Sequence, residues 1–329
     1  MINDIPAVSV IVPVYNVAPY IEKCARSLFE QTLQSLEIIF VDDCTLDDSI
    51  ELIKKILDEY PERKDLTKFL KQPKNSGTAN ARKRGMLESR GMYIIHCDGD
   101  DWVDTDLYEK MYRNAIENVS DIVICDLIQE FKQNAIPQIL QQLPTSGKEI
   151  IKQFHLFPIS MYTVNKLVKR DISITNNILP WDGLNMWEDM GLFFRLFYFA
   201  NIVSQIHGPM YHYNRTNENA VTANYGIKQV NQMIEIARRV DEFYSTKVDY
   251  NDFETSLNVL KYLAKLTLVT DSFKNYKRYK TIFRESNKVA SKIPLTSFSK
   301  KGRVRYRFVK YGFAPLFIIL FKIKNKLLK

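Results

Sequence analysis

The stretch Ile94-Ile95-His96-Cys97-Asp98-Gly99-Asp100-Asp101-Trp102 carries an apolar, strand-like run straight into three carboxylates within four residues. Carboxylates packed this closely repel one another, and each resists leaving water. The arrangement becomes favourable around a hard divalent cation such as Mg²⁺ or Mn²⁺, with a phosphate-bearing ligand on the ion's open positions. The bland alternative is an acidic turn before a helix, for which Asp104 and Thr105 are good capping residues. Three further segments hold polar groups of the same kind. Pro13-Val14-Tyr15-Asn16 offers a ring that can stack on a base, and Val41-Asp42-Asp43 a carboxylate that can accept hydrogen bonds from a base or ribose. Asn75-Ser76-Gly77 with Ala81-Arg82 opens a helix, which gives an anion-friendly N-terminus and a guanidinium. Alone, each has a plainer use: Tyr15 at a core edge, Asp43 as a helix cap, Arg82 on a solvated face.

The elements that must position these residues follow from hydrophobic period. Residues 8–14 are a nearly continuous β-branched run, and Ile38–Val41 is a second; both suit strands buried on two faces. Ile21, Cys24, Ala25, Leu28 and Phe29 keep helical spacing after Pro19, and Ile50, Ile53, Ile56, Leu57 and Tyr60 do so up to Pro61. A weaker strand over 67–70, a helix over 78–90, strands over 93–97 and 121–125 and a helix over 106–118 complete the alternation. It predicts a doubly wound, parallel α/β sheet. In such sheets ligands bind beyond the carboxyl ends of the strands, where all four polar segments lie. Residues 127–147 are polar and Gln-rich and suit a loop or hairpin, and residues 148–222 are mixed. From Tyr225 to about Ala290 the spacing turns helical, with one stripe through Val230, Met233, Ile234, Ala237 and Val240 and another through Leu257, Leu260, Leu263, Ala264, Leu266 and Leu268.

The chain has 329 residues, 46% of them hydrophobic, enough for one large domain with appendages or for two domains. Ile2-Asn3-Asp4 leads directly into a strand-like run rather than a secretory signal. Cys24, Cys44, Cys97 and Cys125 lie far apart with no Cys-x-x-Cys spacing, as expected of reduced, inert thiols in cytosol. The net charge of +8 is local: residues 300–329 hold ten Lys or Arg and no acid, which leaves 36 basic against 38 acidic residues elsewhere. A body near neutrality argues against a nucleic-acid partner.

The motifs Ser9 to Asn16, Val41-Asp42-Asp43, Asn75-x-Gly77 with Ala81-Arg82-x-x-Gly85, and Asp98-x-Asp100-Asp101 resemble, in order and spacing, those of family 2 glycosyltransferases. Asn165-Lys166-Leu167, Glu188-Asp189-x-x-Leu192-Phe193, Tyr211-x-Tyr213-x-Arg215 and Asn219-x-Val221-Thr222 extend the likeness, which spans residues 7–225. The resemblance implies a GT-A fold with a Rossmann-like, mostly parallel sheet. It also implies an inverting, metal-dependent enzyme that uses nucleotide-diphosphate sugars, UDP favoured. Carried over by position, Asp43 would recognise the base, with Pro13, Tyr15 and Arg82 also in the donor site. Asp98 would contact ribose or the metal shell, and Asp100 would hold an Mn²⁺ or Mg²⁺ ion bridging the two phosphates. Asp189 would be the general base, its position shaped by Glu188. His212 could touch phosphate or metal, against a plain strand-edge histidine. Trp181, Trp187, Tyr162 and His155 would suit stacking on an acceptor sugar, against simple core packing. The sequence departs from the family where Cys44-Thr45-Leu46 replaces Gly-Ser-Thr and Lys83 replaces Asn.

The organisation expected is a glycosyltransferase domain over 1–225, with a nucleotide-binding half (1–126) and an acceptor-binding half (127–225), a helical subdomain over 226–299 and a basic tail over 300–329. In the tail, the apolar run Phe313–Phe321 is nine residues, too short to span a bilayer of about 20-residue thickness. Flanked by cations, it suits the headgroup region of an anionic membrane, against a basic helix packed on the protein or an oligomer contact. The resulting expectation is a hexosyl- or N-acetylhexosaminyltransferase, cytoplasmic and peripheral on the inner face of the cell membrane. It would act on a lipid-linked or surface-polysaccharide glycan precursor, and a homo-oligomer is open. The alternatives are a nucleotidyltransferase, which would carry a Gly-rich phosphate loop after its first strand, and a catalytically inactive nucleotide-sugar-binding homologue.

Overall fold

The β-branched runs form the centre of the sheet. In a computed structural model, β1 (Val8–Val14), β2 (Leu36–Asp42), β3 (Thr67–Lys71) and β4 (Tyr93–His96) lie in the order β3-β2-β1-β4, all parallel. The structure describes residues 5–156, 160–218, 226–270, 272–294 and 300–327, so Asn219, Val221 and Thr222 lie outside the described residues. Helices α1 (Ile21–Phe29), α2 (Ser49–Leu57) and α3 (Thr78–Glu88) cross between these strands. α1 buries Ile21, Cys24, Ala25, Leu28 and Phe29, and α2 buries Ile50, Ile53, Ile56 and Leu57, the stripes expected from their spacing. A Cβ on Gly85 of α3 would stand 2.3 Å from Ile11 Cγ2, so the glycine lets this helix lie directly on β1.

Beyond β4 the sheet is mixed. Along the chain follow β5 (Trp102–Val103), α4 (Leu107–Glu117), β6 (Ile122–Glu130), β7 (Ala135–Gln138), α5 (Gly147–Lys152) and β8 (Lys166–Lys169). Next come α6 (Arg170–Thr175), α7 (Glu188–Phe199) and β9 (Val203–Asn214). β8 enters between β4 and β6, antiparallel to both, while β9 runs parallel to β6 and antiparallel to β5. β7 folds back on β6 as the hairpin anticipated in the polar stretch. The α/β, Rossmann-like architecture with a helical C-terminal part is as expected, and its unbroken run of parallel neighbours stops at β4, where the antiparallel β8 intervenes. β8 is only four residues long and lies in a stretch without clean period, so nothing in the sequence announced it.

The chain divides into two compact units, Met1–Ile150 with Met161–Ala223, and Ile151–Ser160 with Asn224–Lys329. The second unit takes in α8 (Ile227–Ser245), α9 (Tyr250–Leu266), α10 (Phe273–Thr281), a 3₁₀ segment Arg284–Lys292, α11 (Lys300–Lys310) and α12 (Ala314–Leu327). Val230, Met233, Ile234, Ala237 and Val240 of α8 are buried, as their stripe predicts. Two lysines of α9 fasten the 3₁₀ segment: Lys261 Nζ lies 2.8 Å from Asp241 and 3.1 Å from Glu285, and Lys265 Nζ donates to the Phe283 carbonyl at 2.7 Å and to Asn287 Oδ1 at 2.6 Å. Among the described residues no helix is long and apolar enough to cross a membrane. All four cysteines are free thiols.

Candidate active site

Register brings the carboxyl ends of β1, β2 and β4 together, with Val14 opposite Asp42 and Ile11 opposite His96. The loops leaving these ends are tightly turned. Asn16 (φ 52°) and Cys44 (φ 56°) both adopt the left-handed conformation that a side chain disfavours. Cys44 stands where the resembled family has glycine. Its backbone keeps the glycine-type geometry, held by a thiol hydrogen bond to the Gln72 carbonyl at 3.0 Å. Tyr15 is exposed at the end of β1, and Pro13 is half-buried behind it. A Cβ on Gly99 would stand 3.2 Å from the Pro13 carbonyl, so glycine lets the acidic turn close against β1.

Asp43 is buried, and its two carboxylate oxygens accept the backbone N–H groups of Ser76 (2.8 Å) and Gly77 (2.7 Å). It therefore organises the start of α3. Burial nevertheless raises its pKa above the ordinary carboxylate value. Gly77 caps the helix at φ 86°, ψ 167°, a region open essentially to glycine alone. A Cβ there would also fall 2.2 Å from the Asn185 amide nitrogen, and Asn185 Oδ1 accepts the Ala79 N–H at 3.0 Å. Gly77→Ala should lower stability by about 1–3 kcal/mol. An unchanged urea midpoint would contradict this account of the loop.

Arg82 is the centre of the site. Its side chain is buried, and its two terminal nitrogens donate to Asp98 Oδ1, just past β4, and to Glu188 Oε1, at the start of α7. Both bonds are charge-assisted. Its Nε is buried with no hydrogen-bond partner. Glu188 and Asp189 are aimed by Trp187, whose φ of 66° turns the chain sharply into α7. Burial pushes the Glu188 carboxyl up while Arg82 pulls it back. Asp189 is half-buried, accepts the Met190 N–H at 2.6 Å, and is likewise raised by burial, with Arg82 and Lys166 opposing. Lys166, fully buried in β8, donates to the Tyr162 carbonyl (2.8 Å) and to Asn165 Oδ1 (2.9 Å), and burial brings its pKa down to about 7.

The three aspartates of the acidic turn have different tasks. Asp101 is buried and structural: it accepts the Tyr211 hydroxyl at 2.6 Å and the Asn214 N–H at 2.7 Å. The same Tyr211 oxygen accepts the Asp98 N–H at 3.0 Å, so β9 fixes the turn from one side. Asp100 accepts from the Asn217 amide at 2.8 Å. Its pKa is pushed up to about 6, first by burial and then by the charge of Asp98. Asp98 and Asp100, whose other oxygens are held by Arg82 and Asn217, each keep one oxygen that could face a divalent cation. Among the described residues no set of three or more His, Cys, Asp or Glu converges on one point, so oxygens from outside the protein would have to complete the shell.

The structure thus brings Pro13, Tyr15, Asp43, Arg82, Asp98, Asp100, Glu188 and Asp189 onto one unit. His212 lies apart on the strand pair β5–β9, between Glu130 (2.8 Å) and Asp104 (3.0 Å) and stacked on Trp102. Trp181 is covered by the Arg195 guanidinium, Tyr162 stacks on Tyr213, and His155 belongs to the second unit. Lys83 pairs with Asp182 at 2.9 Å. Asn185 and Asn217 escaped the sequence reading because single amides in polar loops carry no periodic or compositional signal. The Tyr211 contact to the acidic turn escaped it because it depends on strand pairing.

The sequence model of glycosyl transferase family 2 matches residues 9–173. The uncharacterized glycosyltransferase EpsJ of Bacillus subtilis is 33% identical over 224 residues, which are 66% of this chain and 63% of that protein. The cholesterol galactosyltransferase of Borreliella burgdorferi is 27% identical over 265 residues, 76% of this chain and 67% of that one. The chain thus spans about two thirds of the length of these relatives. The fold is that of residues 1–349 of S. aureus TarS, at a TM-score of 0.69 and 15% identity, covering 98% of this chain and 92% of that fragment. Glu188 and Asp189 lie past the matched segment, yet Arg82, inside it, binds Glu188 directly. With half of its 329 residues matched and the motifs gathered on one unit, this chain belongs to glycosyl transferase family 2.

Proposed function

We propose that this chain moves a hexosyl or N-acetylhexosaminyl group from a nucleotide-diphosphate sugar to an acceptor hydroxyl, with inversion at the anomeric carbon. The observation that carries the reading is Arg82, which joins the acidic turn to the candidate base helix through one buried guanidinium. Pro13, Tyr15, Asp43 and Arg82 would form the donor site, and the unpartnered Arg82 Nε offers a donor to a substrate oxygen. Asp98 and Asp100 would hold a divalent cation, which when bound neutralises charge on the departing diphosphate. Asp189 would take the proton of the acceptor hydroxyl as it attacks, and Glu188, held by Arg82, would fix the start of α7 around it. A UDP donor is supported by TarS, whose crystals with UDP and with UDP-GlcNAc share this fold. The acceptor would be a lipid-linked or surface-polysaccharide precursor; the relative named a cholesterol galactosyltransferase supports only that an acceptor hydroxyl can sit on a lipid. Family membership removes the nucleotidyltransferase alternative.

Calorimetric titration with UDP, GDP and dTDP, each with Mn²⁺ and with excess chelator, tests this reading. One nucleotide should bind, and chelator should abolish most of the affinity. Asp100→Asn should weaken the Mn²⁺-dependent binding by about tenfold or more, since it removes one of two anionic ligands. Binding of no nucleotide under either condition would overturn the proposal.

A further inference from the structure

The tail helix α12 carries two apolar stripes, and its own unit covers only one. Ala314, Phe317 and Ile318 are buried with Val269, and Phe321 packs against the same cluster beside Tyr276, Tyr279 and Phe308. These positions follow i, i+3, i+4, i+7, one face of a helix. Leu316, Ile319, Leu320 and Ile323 follow the same spacing on the opposite face, and each is 45–51% exposed. Phe313 and Tyr311, at the bend between α11 and α12, are more exposed still. A helix apolar on both sides, with one side in water, is an unfinished surface.

Charge decides what finishes it. Residues 300–329 hold ten cations and no acid, Lys322 is exposed on α12 itself, and Arg303, Arg307 and Lys310 are exposed on α11. A second copy of the chain would bring cations against cations around an apolar seam. An anionic lipid surface meets both needs, since acyl chains accept the stripe and headgroups accept the cations. Aromatic side chains at the bend suit the headgroup depth. We propose that α12 lies in the plane of an anionic membrane, with Leu316, Ile319, Leu320 and Ile323 immersed and the Lys and Arg side chains of α11 on the headgroups. The opposite stripe, together with Tyr306 bonded to the Ala290 carbonyl, makes this a rigid mount for the second unit, where a free tail would give only a flexible tether.

The test is cosedimentation of the full chain with phosphatidylcholine vesicles, with and without phosphatidylglycerol. The wild-type protein should bind only the anionic vesicles. The variant L316S/I319S/L320S/I323S should lose about tenfold or more of that partition. The variant R303Q/R307Q/K310Q should lose the preference for phosphatidylglycerol. All seven positions are exposed, so thermal midpoints should stay at the wild-type value. The proposal fails if wild type ignores anionic vesicles or if the serine variant partitions as wild type does. It also fails if the stripe proves to serve self-association, seen as a concentration-dependent dimer that the serine variant abolishes without vesicle binding. Each readout is independent of sugar transfer.

Discussion

Asp189→Asn should reduce turnover by about 10²–10⁴-fold while leaving nucleotide affinity nearly unchanged. The substitution keeps the shape, and the amide oxygen can still accept the Met190 N–H that Asp189 now accepts at 2.6 Å. What it removes is the capacity to take a proton. Because burial raises the pKa of Asp189, its ionised form is lost at a higher pH than for an ordinary carboxylate, and transfer should fall as the pH drops through that value. The nearby Lys166 ammonium favours the ionised acid, so Lys166→Met should move this acidic limb to higher pH. Single-turnover rates across pH, with nucleotide titration of the same samples, separate proton transfer from binding. Near-wild-type turnover in Asp189→Asn would remove Asp189 from the role.

Arg82→Met should destabilise the first unit by about 3–5 kcal/mol, the range for stripping one partner from a buried ion network. Asp98 and Glu188 would be left facing each other's charge in a site that burial already makes unfavourable for carboxylates. The pH dependence has a definite sign. Without the guanidinium, the folded-state pKa of Glu188 rises further above its unfolded value. The Glu188 part of the variant's deficit should therefore be small while both folded proteins hold the proton, and should grow as the pH rises through the wild-type folded value of about 8. Denaturant midpoints measured below and above about pH 8 give the comparison. Adding Glu188→Gln should restore part of the loss, because it removes one of the two stranded charges. An equal deficit at both pH values would contradict the ion network as its source.

What was legible in the sequence was whatever rests on local pattern. β1 and β2 announced themselves as β-branched runs, the first two helices as apolar stripes, and the acidic turn as charge crowded at a strand end. The residue types of the site were legible for the same reason. Their connections were not, because they are long-range. Arg82 and Glu188 are 106 positions apart, and only the insertion of β8 antiparallel to β4 brings the second half of the sheet alongside the first. Asp43 was read as a group facing a base or as a helix cap, and in the fold its oxygens accept from the turn that opens α3. The basic, apolar tail was visible as composition, but the division of α12 into a seated and an open stripe needed the packing.

The shared guanidinium has a thermodynamic consequence. Asp98 and Glu188 draw on one cation, so neither can change its charge state or its partner without altering the other's hold on Arg82. A ligand that relieves Asp98 shifts Arg82 towards Glu188, and a ligand that engages Glu188 shifts it back. By reciprocity the two effects are equal in free energy, typically about 1–3 kcal/mol between coupled sites. On the proposed function, with Asp98 on the donor side and Glu188 on the acceptor side, binding of one substrate would change the affinity for the other through this single side chain.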